Sequence, residues 1–262
     1  MASTHPQKEK RDYSLNSVRN ALRLLKCFTM DEPEKKVTDL AKDMNLSKST
    51  ISRLLQTLAS EGFVSKDPET QKYRLGLSVL CLSGVVVSNL ELHREAQPVL
   101  RKLVDLVEET AHIAVLEDMD VIYLQKIECT HPVRILTHIG RKNPAHCTSS
   151  GKLLLAYQDP NIVQERIASG LTAYTDKTIT SPKEFMSHLA RIRENGYAIS
   201  IEEFREGIVS VAAPIRDYTN QVIASVNIVG PIQRLQPQSI HKYVKHVVNA
   251  GKEISERLGY RG

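Results

Sequence analysis

At 262 residues the chain can hold two domains with separate cores, and 41% hydrophobic with 25% charged residues excludes a mainly disordered chain. The net charge of +5 is uneven: residues 1–76 carry 14 Lys and Arg against 10 Asp and Glu, the remainder 21 against 20, so the positive field sits in the first third. No apolar run approaches the roughly 20 residues of a membrane span, the opening MASTHPQKEKRDYS lacks a signal-peptide core, and Cys27, Cys81, Cys129 and Cys147 form no CxxC pair. A cytoplasmic protein with free thiols is therefore expected.

After a flexible tail at residues 1–13, residues 15–28 place Leu15, Val18, Leu22, Leu25 and Phe28 at helical steps and predict a first helix with these side chains inward. Asp31, Glu32 and Pro33 end it. Thr38 is expected to cap a short second helix built on Leu40, Ala41 and Met44, and Asn45 with Leu46 make the turn. Ser47 caps the third helix, in which Ile51, Leu54, Leu55 and Leu58 point inward. The other face carries Lys48, Ser49, Thr50, Ser52, Arg53, Gln56 and Thr57, with no acidic residue before Glu61. Such a face suits the major groove, where these groups reach base edges or phosphates and a carboxylate is repelled. Residues 63–75 then predict two short strands around the turn Asp67–Thr70, with Lys66, Lys72 and Arg74 nearby. The order of elements is that of a winged helix-turn-helix over residues 14–76, with double-stranded operator DNA as its partner.

Residues 77–92, LSVLCLSGVVVSNLEL, predict a connecting helix that is apolar around most of its circumference. Such a helix needs a cover, and a second copy of itself supplies one, so a dimer, alone or paired into a tetramer, is expected. Pro98 suits the first turn of a helix running to about residue 109, with Val99, Leu103, Leu106 and Val107 inward. Strands are expected at 112–117, 121–127, 133–139, 198–203, 209–216 and 222–230. Helices are expected at 150–157, 160–168, 182–195 and 237–258. Paired strands with interposed helices predict an α+β domain, residues 93–262, around a largely antiparallel sheet.

Three ordered stretches resemble the IclR-type transcription regulators. They are SKSTISRLLQTLASEGFVSKDPETQKYRLG, GRKNPAHCTSSGKLLLA and GYAISIEEFREGIVSVAAPIRD, and the likeness runs over about residues 15–258. In the third, Gly196, Ser200, Glu203, Ser210, Val211, Ala212, Ile215 and Asp217 fall at the family spacing, whereas Arg216 stands where the family places an aromatic residue or His. The resemblance implies a GAF-like C-terminal domain that binds a small-molecule effector. Carried over by position, it implies a ligand-facing set of Ser149, Ser150, Ser200, Glu203, Ser210 and Asn227. It also implies a repressor of neighbouring catabolic genes. Read chemically, Ser149 and Ser150 at a helix start suit a carboxylate, Glu203 suits ligand hydroxyls, and Ser210 and Asn227 offer neutral donors and acceptors, so an organic or sugar acid is the expected effector class.

Sharper chemistry fits less well. Ser149-Ser150-Gly151-Lys152 has an SxxK spacing but no SDN or KTG partner, and it is no phosphate loop because Leu153 stands where Ser or Thr is required. His131, His138, His146 and Cys147 lack the paired spacing of a zinc site, and His146 reads as a loop anchor. No metal, no cofactor and no catalytic residues are expected. The alternative, an enzyme acting on a small acid with an accessory N-terminal domain, needs a nucleophile, base and oxyanion donor that the sequence does not display.

Overall fold

The computed structural model describes residues 15–88, 91–131, 139–168 and 170–262. The expected tail at 1–13 and nearly all of the strand expected at 133–139, with His138, lie outside the described residues. The chain divides into two compact units, Met1–Val86 and Val87–Gly262.

In the N-terminal unit, α1 (Asn16–Lys26), α2 (Val37–Met44) and α3 (Lys48–Ser60) enclose a core of Leu24, Phe28, Leu40, Ala41, Met44, Ile51 and Leu55. Periodicity identified α1 but not its inner face. Leu24 is fully buried, while Leu15, Val18 and Leu22 are 69%, 52% and 57% exposed, so the expected inward row is corrected to Leu24 and Phe28 with Leu25 beside them. Thr38 lies inside the first turn of α2 and does not cap it; the Asp39 carboxylate accepts the Lys36 N–H at 3.2 Å. Asn45 ends α2 in the left-handed conformation (φ 52°), which a short polar side chain tolerates. The wing pairs β1 (Val64–Lys66) with β2 (Tyr73–Leu75), Val64 opposite Leu75, and the Asp67 carboxylate fastens its turn by accepting the N–H groups of Glu69 and Thr70. The helix α4 (Leu77–Ser88) follows, with Leu77, Leu80, Leu82 and Val85 all more than half exposed.

The C-terminal unit is built on six antiparallel strands in the order β5-β4-β3-β8-β7-β6. These are β3 (Thr110–Glu117), β4 (Asp120–Ile127), β5 (Lys142–Pro144), β6 (Ala198–Ile201), β7 (Ile208–Arg216) and β8 (Val222–Pro231). One face, with Ala111, Ile113, Val209, Val211, Ala213, Ile215, Val226 and Ile228, packs on α5 (Glu91–Val107) and α9 (Ile240–Arg257). Gly251 lets α9 approach β7 closely, because an added Cβ would lie 2.6 Å from the Pro214 carbonyl oxygen. The opposite face, with Ala114, Tyr123, Ala198 and Ala212, is covered by α6 (Ser149–Ala156) and α8 (Pro182–Asn195), and α7 (Pro160–Ile167) packs on α8.

Two expectations for α5 are corrected. The helix begins at Glu91, so Leu92 belongs to it and is buried, and Pro98 stands in its interior. Leu106, expected inward, is 58% exposed. Arg216, the departure from the family pattern, sets its guanidinium 5.1 Å from the centre of the Tyr157 ring, so an arginine stacked on an aromatic face occupies this place.

Candidate DNA-binding helix and ligand pocket

In α3 the Ser47 hydroxyl accepts the Thr50 N–H at 3.2 Å and lies within 2.9 Å of the Ser49 hydroxyl and 2.8 Å of the Thr50 hydroxyl. The Thr57 hydroxyl donates back to the Arg53 carbonyl. Ser47 therefore caps and stabilises the helix start, and these hydroxyls are held close to the backbone, so their reach outward is short. Lys48, Arg53 and Gln56 are exposed, and no hydrogen bond or ion pair holds their side chains among the described residues. Ser52 lies half-buried between them. On the wing, Lys66 sits over the Tyr73 ring, Arg74 donates to the Ser65 hydroxyl at 3.2 Å, and Lys72 is half-buried. The face expected from sequence is thus formed, with a division of labour: Ser47, Ser49, Thr50 and Thr57 shape it, and the long side chains project.

In the C-terminal unit the strand register assembles a polar patch beneath α6. Ser200 pairs with Ser210, Ala212 with Asn227, and Asn227 with His112, so these residues share one face of the sheet. A cavity of about 60 Å³ opens there. Its polar wall includes Arg141, Asn143, Thr148, Ser200, Arg205, Ser210 and Asn227, and its apolar wall Tyr123, Phe204, Ile208 and Val229. Two guanidinium groups and a set of neutral donors and acceptors, without a lining carboxylate among the described residues, make an environment for an anion.

Burial sets the ionisation of the groups around this cavity. It drives the His112 imidazole down to about 3, with the Lys126 charge adding to the effect, so this ring is neutral; it lies 4.6 Å from the Tyr123 ring. Burial raises the Tyr123 phenol to about 12 and the Cys147 thiol to about 12, which leaves Cys147 protonated and poorly suited to attack or to metal binding. No group of three His, Cys, Asp or Glu side chains placed to hold a metal occurs among the described residues.

The set implied by position divides in two. Ser200, Ser210 and Asn227 line the cavity; Ser149, Ser150 and Glu203 do not. The Ser149 and Ser150 hydroxyls are fully buried without a partner among the described residues, and the cap of α6 is Thr148, whose hydroxyl accepts the Gly151 N–H at 3.2 Å. Glu203 pairs with Lys152 through Oε1, while its Oε2 is buried and accepts no hydrogen bond among the described residues. His146 anchors its loop as expected, its Nε2 lying 2.9 Å from the Thr172 carbonyl oxygen. Sequence reasoning missed Tyr123, Arg141 and Asn143, which the pairing of β4 with β5 brings to the cavity, with Asp120 opposite Pro144 and Val121 opposite Asn143.

The comparisons agree with this architecture. Residues 17–68 match the IclR helix-turn-helix domain and residues 84–256 the bacterial transcriptional regulator IclR C-terminal domain. The chain is 34% identical over 254 residues to the HTH-type transcriptional regulator KdgR of Escherichia coli, covering 96% of each. It is 31% identical over 251 residues to the transcriptional repressor IclR of the same organism, covering 95% of this chain and 91% of that one. An IclR homologue from Microbacterium hydrocarbonoxydans, solved with 4-hydroxybenzoate, superposes with a TM-score of 0.81 at 26% identity, over 93% of this chain and 99% of the other. The chain belongs to the IclR family of DNA-binding transcription regulators.

Proposed function

We propose that this regulator is a cytoplasmic homodimer, or a pair of dimers, that represses catabolic genes and changes its hold on a palindromic operator when a small organic or sugar acid enters the cavity. The observation that carries the effector class is the joint presence of Arg141 and Arg205 with Asn143, Ser200, Ser210 and Asn227 on one cavity wall. A carboxylate pairs with a guanidinium, and ligand hydroxyl or oxo groups pair with the neutral amides and hydroxyls. The 4-hydroxybenzoate held by the Microbacterium homologue is a hydroxylated acid of this class. Residues 14–76 bind DNA, α4 connects, and the unit that begins with α5 binds the effector. Lys48, Arg53 and Gln56 read the operator, supported by Ser47, Ser49, Thr50, Ser52 and Thr57, while Lys66, Lys72 and Arg74 contact phosphates beside the wing.

The dimer rests on the exposed apolar residues of α4 and on the Leu15, Val18 and Leu22 row of α1, which a second copy can cover. An acid can shift operator affinity only as far as it binds two arrangements of the protein unequally. The test is anisotropy of a labelled operator, selected from genomic DNA by the protein, during titration with pyruvate, glycolate, gluconate and 4-hydroxybenzoate. At least one acid should change the operator Kd by about tenfold, within the usual range of coupling, and Arg141→Gln should remove that response. No response to any acid, or an unchanged response in the variant, contradicts the reading.

A further inference from the structure

Lys152 is fully buried in α6, a helix of eight residues that is itself buried along its whole length. Its ammonium group donates to the Glu203 carboxylate, to the Ile199 carbonyl at 2.8 Å, and to His188 Nε2 in α8 at 3.2 Å. All three N–H bonds of the ammonium are thereby used. The three acceptors lie on three different segments, and two of those segments form cavity wall. Ile199 precedes Ser200 in β6, and Glu203 precedes Phe204 and Arg205 in the turn between β6 and β7. A third stretch of wall, Cys147 and Thr148, leads directly into α6.

We propose that Lys152 is the positioning residue of the effector cavity, joining the wall that precedes α6 to the wall formed by β6 and its following turn through its bonds to Glu203 and Ile199. The backbone of that turn has its own outer fastening, since the Thr178 hydroxyl donates to the Glu203 carbonyl at 2.6 Å and the Thr175 hydroxyl to the Glu202 carbonyl at 2.7 Å. These bonds hold the turn to the segment before α8, and the Ser200 hydroxyl ties β6 to the Cys147 carbonyl at 3.0 Å, so Lys152 adds the tie from α6 itself to β6 and to the turn. The geometry also accounts for a polar residue in this place. Gly151 lies so close to the preceding loop that an added Cβ would stand 2.2 Å from the Ala145 carbonyl oxygen, so α6 sits directly against one wall and a rigid bond from its next residue transmits that position to the other. An aliphatic side chain at residue 152 would fill the space without fixing a direction, because only hydrogen bonds to separate segments specify one arrangement.

The test uses the full chain. Lys152→Met alone leaves the Glu203 charge buried and can unfold the unit, so the deciding variant is Lys152→Met/Glu203→Gln, which removes both charges together. Amide hydrogen exchange is followed at residues 145–150 and 199–207, with α5 and α9 as internal references. The expected result is exchange about tenfold faster at both walls, with the references and the melting midpoint unchanged, as for local opening uncoupled from global unfolding. Exchange at wild-type rates in both walls, or acceleration at one wall only, overturns the linkage, and so does acceleration shared equally by α5 and α9. The same variant is titrated with pyruvate, glycolate, gluconate and 4-hydroxybenzoate. This arm rests on the proposed acid-binding reading; if the wild type binds none of them, that reading fails while the exchange result still decides the role of Lys152.

Discussion

Acidification should destabilise the C-terminal unit through one buried ring. His112 is fully buried on β3 and burial lowers its pKa to about 3, whereas an unfolded histidine titrates near 6.5. Below pH 6.5 the unfolded chain therefore binds a proton that the native ring refuses, and the stabilisation held at neutral pH is lost progressively as pH falls toward 3. Each pH unit in that window costs about 1.4 kcal/mol, so the fall from pH 6.5 to 5 removes roughly 2 kcal/mol, or about 4–8 °C of melting temperature for a domain of this size. His188, half-buried and lowered to about 4, adds a smaller loss of the same sign, and Glu203, raised by burial, opposes both. The His112→Gln variant isolates the main contributor, since glutamine retains hydrogen-bonding capacity opposite Asn227 without a titrating group. Scanning calorimetry of the full chain at pH 7.5, 6.5, 5.5 and 5.0 should show the variant with a distinctly flatter decline than the wild type. Parallel declines would show that His112 is not the source of the acid sensitivity.

Two further outcomes follow from close contacts and exposed surface. Gly151→Ala should destabilise the C-terminal unit by about 2–4 kcal/mol, because the new methyl group meets a backbone carbonyl that cannot move without dragging the cavity wall; a denaturant midpoint equal to wild type would show that α6 has slack. Leu77→Glu/Leu80→Glu, at positions 79% and 67% exposed, should leave the fold intact and shift sedimentation from dimer toward monomer, and an unchanged dimer would place the association surface elsewhere.

Much of the fold was legible because the patterns are local. Ser47 ahead of an i, i+3, i+4, i+7 row announced α3, and the run of β-branched residues announced β7 and β8. What failed was phase and distance. The α1 sequence carries apolar residues on two sides, and periodicity alone does not say which side meets the chain's own core; Leu24 and Phe28 do, while Leu15, Val18 and Leu22 stay exposed. Proline favours the first turn of a helix, yet α5 holds Pro98 in its interior, where its missing N–H releases one carbonyl.

The cavity divided along the same line. Ser200 and Ser210 lie in the family motif and Asn227 follows from it by position, whereas Arg141 reaches the cavity beside β5, a strand of three residues too short to give an alternating pattern. The Lys152–Glu203 pair has one sequence signal, a single lysine inside an otherwise uncharged helix, but nothing local indicates a partner 51 residues away.

Lys48, Arg53 and Gln56 on the projecting face of α3 are the side chains proposed to read DNA. Their role is tested most directly by anisotropy of the wild-type operator with Arg53→Ala/Gln56→Ala at several salt concentrations, alongside calorimetric melting of the same samples. Operator affinity should fall by about 2–6 kcal/mol for the pair, at the scale of base-contacting side chains, with residual sequence-independent binding and an unchanged melting temperature. Wild-type affinity and sequence preference in a folded double variant would contradict that role.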